Sequence, residues 1–224
     1  MTASVKESVS PLLKHPEETI IVPPRLFPGL DYYAKTVEYG KIAVDWNARY
    51  DKRDKAARRY NIADVNGPLA LTVPVVKPDS FSRATWNDIL ISSHGDWQSV
   101  HLTALESAYG RTPYFEFYID SLRPLFSRDW NESPLRQYIE RSHSILSGLL
   151  PLPPFEALSS VKAIGTNQSL QLNDIEIKQK PYWQPRIERL GFIPGLSILD
   201  ALFCLGPTLI LHLLPAGLEV DGNK

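Results

Sequence analysis

The stretch TIIVPPRLFPGLDYYAKTVEYGKIAVDW, residues 19–46, decides the fold. Residues 19–22 are a β-branched run with the composition of a short strand. Pro23-Pro24 stop it, because proline has no amide hydrogen for the next ladder bond. Pro28-Gly29 then lead into Tyr32, Tyr33 and Val37 at near-helical spacing, and Gly40 is expected to end that helix. Residues 41–46, KIAVDW, read as a second strand. Strand, helix and strand within about 28 residues fit one crossover, which makes the two strands parallel neighbours.

Downstream, residues 60–76 read as a hairpin. Asn66-Gly67 offers the two positive-φ positions of a tight turn, and Leu69, Leu71, Val73 and Val75 alternate at period two, so about 60–65 should pair with 69–75. Pro68 and Pro74 limit where that strand can donate. Asp96 is placed to cap a helix with the stripe Trp97, Val100, Ala104, Leu105 and Ala108, stopped by Gly110. Thr112-Pro113 and Ser133-Pro134 each set a hydroxyl before a first-turn proline. They open helices with Phe115, Tyr118, Leu122 and Leu125, and with Leu135, Tyr138, Ile139, Leu146 and Leu149, facing inward. Pro151, Pro153 and Pro154 form a stiff connection, and Leu170, Leu172, Ile175 and Ile177 suggest a strand or two.

These elements predict one α/β domain over residues 20–215: a mixed β-sheet with an N-terminal parallel β-α-β unit, a β-hairpin and flanking helices. Residues 1–19 read as a flexible N-terminal arm and 216–224 as a flexible tail. With 224 residues, 43% of them hydrophobic, the chain can bury a substantial core. Its 24 lysines and arginines against 25 aspartates and glutamates give no global pull toward nucleic acid or anionic membrane. Cys204 is the only cysteine, which excludes an internal disulfide and a cysteine-cluster zinc site, and no signal peptide is legible, so a cytoplasmic location is expected. Residues 192–215 are apolar, but Pro194, Gly195, Asp200, Gly206-Pro207 and His212 interrupt them within the roughly 20 residues a span requires. Two short core helices are expected there, and no integral membrane span.

Three local signals could carry chemistry. Arg49, Lys52, Arg53, Lys55, Arg58 and Arg59 crowd six cations around Asp51 and Asp54. This is either a solvated loop or a clamp for phosphate or carboxylate, to which arginine's planar fork is suited. His101 follows Trp97 by four residues and so projects from the apolar face of its helix. It is either a core histidine bonded to a carbonyl or a general base at a cleft. Ser197, Asp200, Ala201 and Cys204 form a small, polar stripe on an otherwise apolar helix, and a buried Asp200 would have to be paired, hydrogen-bonded or protonated. Cys204, with no cation near in sequence, reads as a small core residue.

The segments Tyr60-Asn61-Ile62 through NGPLALTVPVVKP (66–78), DWQSVHLTALESAYGRTPYFEFY (96–118), PYWQ (181–184) and GFIPGLSILDALFCLGP (191–207) resemble the WbqC-like protein family, in the form common in Bacteroidetes. The resemblance runs from about Ile20 to Leu214. It departs at Ala57-Arg58-Arg59, where the family has arginine-asparagine-arginine, and at Pro194-Gly195-Leu196-Ser197, where the family has proline-asparagine-leucine-serine. Residues 24–33 also resemble the strand and turn of nucleotidyltransferases, whose turn histidines are missing here.

The resemblance implies a bacterial, intracellular protein associated with lipopolysaccharide O-antigen biosynthesis. The expected activity is acyl or aminoacyl transfer or hydrolysis on an activated sugar; the alternative is a non-catalytic binding or scaffold protein of glycan assembly. Under the enzymatic reading His101 and Asp200 are catalytic, and Arg58, Arg59, Tyr33, Tyr109 and Ser197 hold a small-molecule substrate, a nucleotide-sugar or acyl donor. No metal or other cofactor and no nucleic acid are implied. His101 and Asp200 are expected to share one pocket, with Arg59 at its rim.

Overall fold

The computed structural model describes residues 15–78, 80, 83–150, 152–157 and 179–213. Strands β1 (His15–Val22) and β2 (Tyr39–Val44) run parallel, with Ile20 beside Ile42 and Val22 beside Val44. Helix α1 (Leu30–Thr36) joins them and buries Leu30, Tyr32 and Tyr33. β1 begins four residues ahead of Thr19, although its register breaks between His15 and Thr19. Gly40 does not end the helix. α1 closes on Val37, and Gly40 lies inside β2.

On the far side of β2 lies strand β5, Phe155–Ala157, again parallel, giving the order β1-β2-β5. It follows the proline run, where the sequence shows only a stiff connection. The Pro154 carbonyl takes the Ile42 amide at 3.0 Å, so the prolines lead the chain into the sheet by offering acceptors.

The hairpin is β3 (Arg59–Asp64) and β4 (Gly67–Thr72), antiparallel, with Tyr60 opposite Leu71 and Ile62 opposite Leu69. Its turn residues are Val65 and Asn66, one position earlier than expected. The positive φ falls on Gly67 alone (117°), so glycine alone supplies the unusual conformation and asparagine is not needed for it. β4 stops at Thr72 because Pro74 cannot donate, and Val75 turns to an isolated bridge with Ile91. The parallel and antiparallel pairings belong to two separate sheets.

Helices α2 (Trp97–Tyr109), α3 (Phe115–Leu122) and α4 (Leu135–Leu149) surround these sheets. α2 buries Trp97, His101, Leu105, Ala108 and Tyr109, while Val100, expected in that stripe, is 60% exposed. α3 starts two residues after Pro113, because the Thr112 hydroxyl turns back to the Tyr109 carbonyl at 2.7 Å and finishes α2 instead. The N-cap of α4 is Pro134, one residue after Ser133.

A short α5 (Ile187–Leu190) precedes α6 (Ile198–Leu205), which is followed by 3-10 turns over Gly206–His212. α6 is core throughout: Ile198, Leu199, Ala201, Leu202 and Phe203 are fully buried against β3, α2 and α3. No described helix is long and apolar enough to cross a membrane. The strands suggested at residues 170–177, most of the N-terminal arm and the 216–224 tail lie outside the described residues.

Candidate functional site

Three chain segments meet past the C-terminal end of β1. The Ser197 amide donates to the Asn61 carbonyl of β3, and the Ile198 amide donates to the Pro28 carbonyl, each at 2.9 Å. Gly29 forms an isolated bridge with Ser197. A Cβ on Gly29 would stand 2.9 Å from the Leu196 carbonyl oxygen, so only glycine lets the two backbones approach.

Between these segments opens a cleft of about 310 Å³, lined by Arg25, Phe27, Arg59, Tyr60, Asn61 and Ser197 among others. Phe27 is held at φ 43°, an unfavourable conformation for a bulky side chain, and its buried ring meets Tyr60 edge-on at 5.0 Å.

Two arginines face this cleft in different electrostatic states. Arg25 donates to Asp54 at 2.7 Å and is neutralised there. The Arg59 Nε donates to Thr72 Oγ1 at 2.8 Å, and among the described residues no carboxylate pairs with its guanidinium. One edge of the fork is thus anchored across the hairpin, and the rest remains for an anion. Ser197 is 3% exposed and caps α6 by backbone geometry only. Its Oγ has no hydrogen-bond partner among the described residues.

The cationic loop divides. Arg58 is half-buried, with Nη1 3.5 Å from the Val73 carbonyl, whereas Arg53 is exposed and pairs loosely with Asp51. Arg59 alone of the predicted cations lines the cleft.

His101 and Asp200 are buried, and neither is among the described residues that line this cleft with Arg59. His101 hydrogen-bonds the Thr72 carbonyl and sets Nδ1 3.2 Å from the Tyr60 hydroxyl. Burial lowers the His101 pKa to about 4, against the raising effect of the Thr72 bond, so the ring is neutral at pH 7. His101 thus backs the two hairpin residues, Tyr60 and Thr72, that shape and anchor the cleft.

Asp200 is fully buried and accepts three hydrogen bonds: from Tyr109 Oη at 2.8 Å, Tyr182 Oη at 2.5 Å and Gln184 Nε2 at 2.9 Å. Burial raises its pKa, and the three donors oppose that rise. The Tyr109 hydroxyl also accepts the Ala63 amide at 2.9 Å, tying β3 to α6. Tyr33 is a core residue, stacked 6.0 Å from His143, whose Nε2 lies 2.8 Å from the Pro153 carbonyl. Cys204 is buried, with its thiol pKa pushed up, in keeping with a core role.

Arg25, Asn61, Tyr182 and Gln184 were not legible as site residues. Arg25 stands alone after the double proline, and the contacts of Asn61 are made by its main chain, which no side-chain pattern records. No group of three or more histidine, cysteine, aspartate or glutamate side chains among the described residues is arranged to hold a metal ion.

No curated protein and no solved structure matches the chain. The model of the WbqC-like protein family matches residues 23–179, a span that holds β1's terminal turn, Arg59, Thr72 and His101. That match covers more than half of the chain and agrees with the motifs at residues 66–78 and 96–118, so the chain belongs to the WbqC-like protein family.

Proposed function

We propose that this protein serves the assembly of bacterial surface polysaccharide, in the cytoplasm, by binding an anionic small molecule in the cleft beyond β1 and assisting acyl or aminoacyl transfer or hydrolysis on an activated sugar. The observation that carries the reading is the guanidinium of Arg59, anchored on one edge by Thr72 and free of any carboxylate partner among the described residues. An arginine fixed by Thr72, with no ion pair among the described residues, beside a buried serine hydroxyl suits a phosphate or carboxylate, and Asp31 on the same lining suits a hydroxyl of that ligand. Ligands of parallel α/β sheets commonly sit beyond the carboxyl ends of the strands. The strained Phe27 and the close approach at Gly29 are further marks of a built site.

In this reading Arg59 and Ser197 touch the ligand, with Arg58 flanking them. His101 is a positioning residue, acting through Thr72 and Tyr60. Asp200, Tyr109 and Tyr33 hold the elements that converge on the cleft.

The burial of both His101 and Asp200 favours a second reading, a binding protein of the same pathway without turnover of its own. Thermal shift and calorimetry with nucleotide-sugars and acyl donors test the site. A ligand that raises Tm with wild type and fails to do so with Arg59→Ala supports it; the absence of any such ligand, or binding indifferent to Arg59→Ala, rejects it. Incubation of acyl donor with activated sugar, followed by mass spectrometry, separates enzyme from binding protein.

A further inference from the structure

Trp183 is 52% exposed, although Tyr182 before it and Gln184 after it are both buried. The two neighbours are fastened from below. Tyr182 and Gln184 both donate to Asp200 Oδ2. Gln184 also bonds the main chain of Ile193 twice, its Nε2 to the carbonyl at 3.0 Å and its Oε1 from the amide at 2.8 Å. Pro181 and Pro185 restrict the backbone on either side. The indole is thus presented outward on a segment whose conformational freedom is already lost, the arrangement of a recognition platform.

Trp183 borders a cleft of about 660 Å³ with Glu106, Ser107, Arg111 and Arg186, and none of its lining residues belongs to the Arg59 cleft. Arg186 is held at φ 65°, in the left-handed region, and its Nη1 is buried with no hydrogen-bond partner among the described residues. Arg111 is exposed and makes no ion pair among the described residues. Glu106 is only partly engaged, 3.4 Å from Arg123. One aromatic face, two guanidinium groups with no ion pair among the described residues, a hydroxyl and a carboxylate thus line one cleft outside the site described above.

We propose that this second cleft binds an anionic saccharide, its ring stacked on Trp183 and its phosphate or carboxylate held by Arg111 and Arg186. The lining discriminates against a nucleobase, which favours a second apolar or aromatic surface on its other face. Here Trp183 is the one aromatic residue among the described lining residues, so no second ring faces it, and Glu106 and Ser107 suit sugar hydroxyls. Asp200 is then a positioning residue for the platform, through Tyr182 and Gln184.

The test is calorimetric titration of the full chain with glucose 1-phosphate, glucuronate, methyl glucoside, inorganic phosphate and uridine monophosphate. Glucose 1-phosphate or glucuronate should bind, and whichever binds more tightly identifies the anion. Methyl glucoside and inorganic phosphate should each bind about tenfold more weakly or not at all, because each lacks one half of the recognition. Trp183→Ala and Arg111→Ala should each weaken binding about tenfold, while Trp183→Tyr, which keeps an aromatic face, should retain most of it. Both positions are exposed, so unchanged circular dichroism and Tm are expected. Arg59→Ala should leave this binding intact, which keeps failure here separate from failure of the first cleft. Absence of binding by either anionic sugar, binding indifferent to Trp183→Ala, or tighter Trp183-dependent binding of uridine monophosphate would each overturn the proposal.

Discussion

Arg59 and Thr72 face each other as a register pair of the hairpin, joined by a 2.8 Å hydrogen bond from the guanidinium Nε to the threonine hydroxyl, while the carbonyl of the same threonine takes a hydrogen bond from His101. One residue thus connects the cleft to the core. Thr72→Val keeps the shape and the β-branching but removes the anchor. Its stability should change by about 1 kcal/mol or less, since Arg59 can return to water. Affinity for whatever anion the cleft takes should fall by about tenfold, as a pre-positioned fork becomes mobile. Calorimetry beside urea denaturation checks both halves.

Asp200 and Tyr109 should be energetically coupled. Tyr109→Phe strands the buried Ala63 amide and removes one donor from Asp200, a loss of about 1–3 kcal/mol. Asp200→Ala strands Tyr109, Tyr182 and Gln184 together, and should cost more than about 3 kcal/mol. The double variant should cost less than the sum. A double-mutant cycle by urea denaturation that returned strict additivity would contradict the network.

Burial holds His101 and His143 at a pKa of about 4, below the ordinary 6.5. As pH falls, the unfolded chain therefore takes up these protons before the folded one. The stability each contributes is fully present above pH 6.5 and is lost on descent toward pH 4, by up to about 3 kcal/mol per ring. Asp200, with a raised pKa, works in the opposite sense. Comparing wild type with His101→Gln isolates one ring: the variant should be less stable at pH 7, yet lose less between pH 6.5 and 4.5.

Gly29→Ala should disturb the cleft directly. The new methyl would lie 2.7 Å from the Asp31 carboxylate and 2.9 Å from the Leu196 carbonyl, and the latter is backbone. The expected cost is about 1–3 kcal/mol. Loss of amide-exchange protection at Ser197 and Ile198, whose amides hold the crossing segments together, would locate the damage.

Much of the fold was legible because its signals are local. Pro23-Pro24, the tyrosines of α1 and the run at residues 41–46 specify the β-α-β unit without help from elsewhere. The turn of the hairpin was misplaced by one residue because Gly67 satisfies the backbone by itself. Val100 was misassigned because Trp97, His101 and Leu105 already fill the inner face of α2. The cleft was harder to read. Arg59 and Ser197 could be picked out by type, but their meeting depends on main-chain bonds from residues 197 and 198 to residues 61 and 28. His101 and Asp200 carry the residue types of a catalytic pair, yet burial turns both toward structural partners. Trp183 falls within the PYWQ motif, but nothing in that motif marks it as exposed, because its exposure is fixed by Asp200 seventeen residues later.

The core position of α6 also constrains how the protein is made. Its apolar residues close over β3 and α2, yet they are synthesised about 130 residues after the hairpin. At about 5–20 residues per second, that leaves an interval on the order of ten seconds. During it, the faces of β3 and α2 that meet α6 have no α6 to cover them. The nascent chain must therefore shelter that surface in a looser collapsed state or on a chaperone, and the cleft cannot take shape until residues 196–198 have left the ribosome.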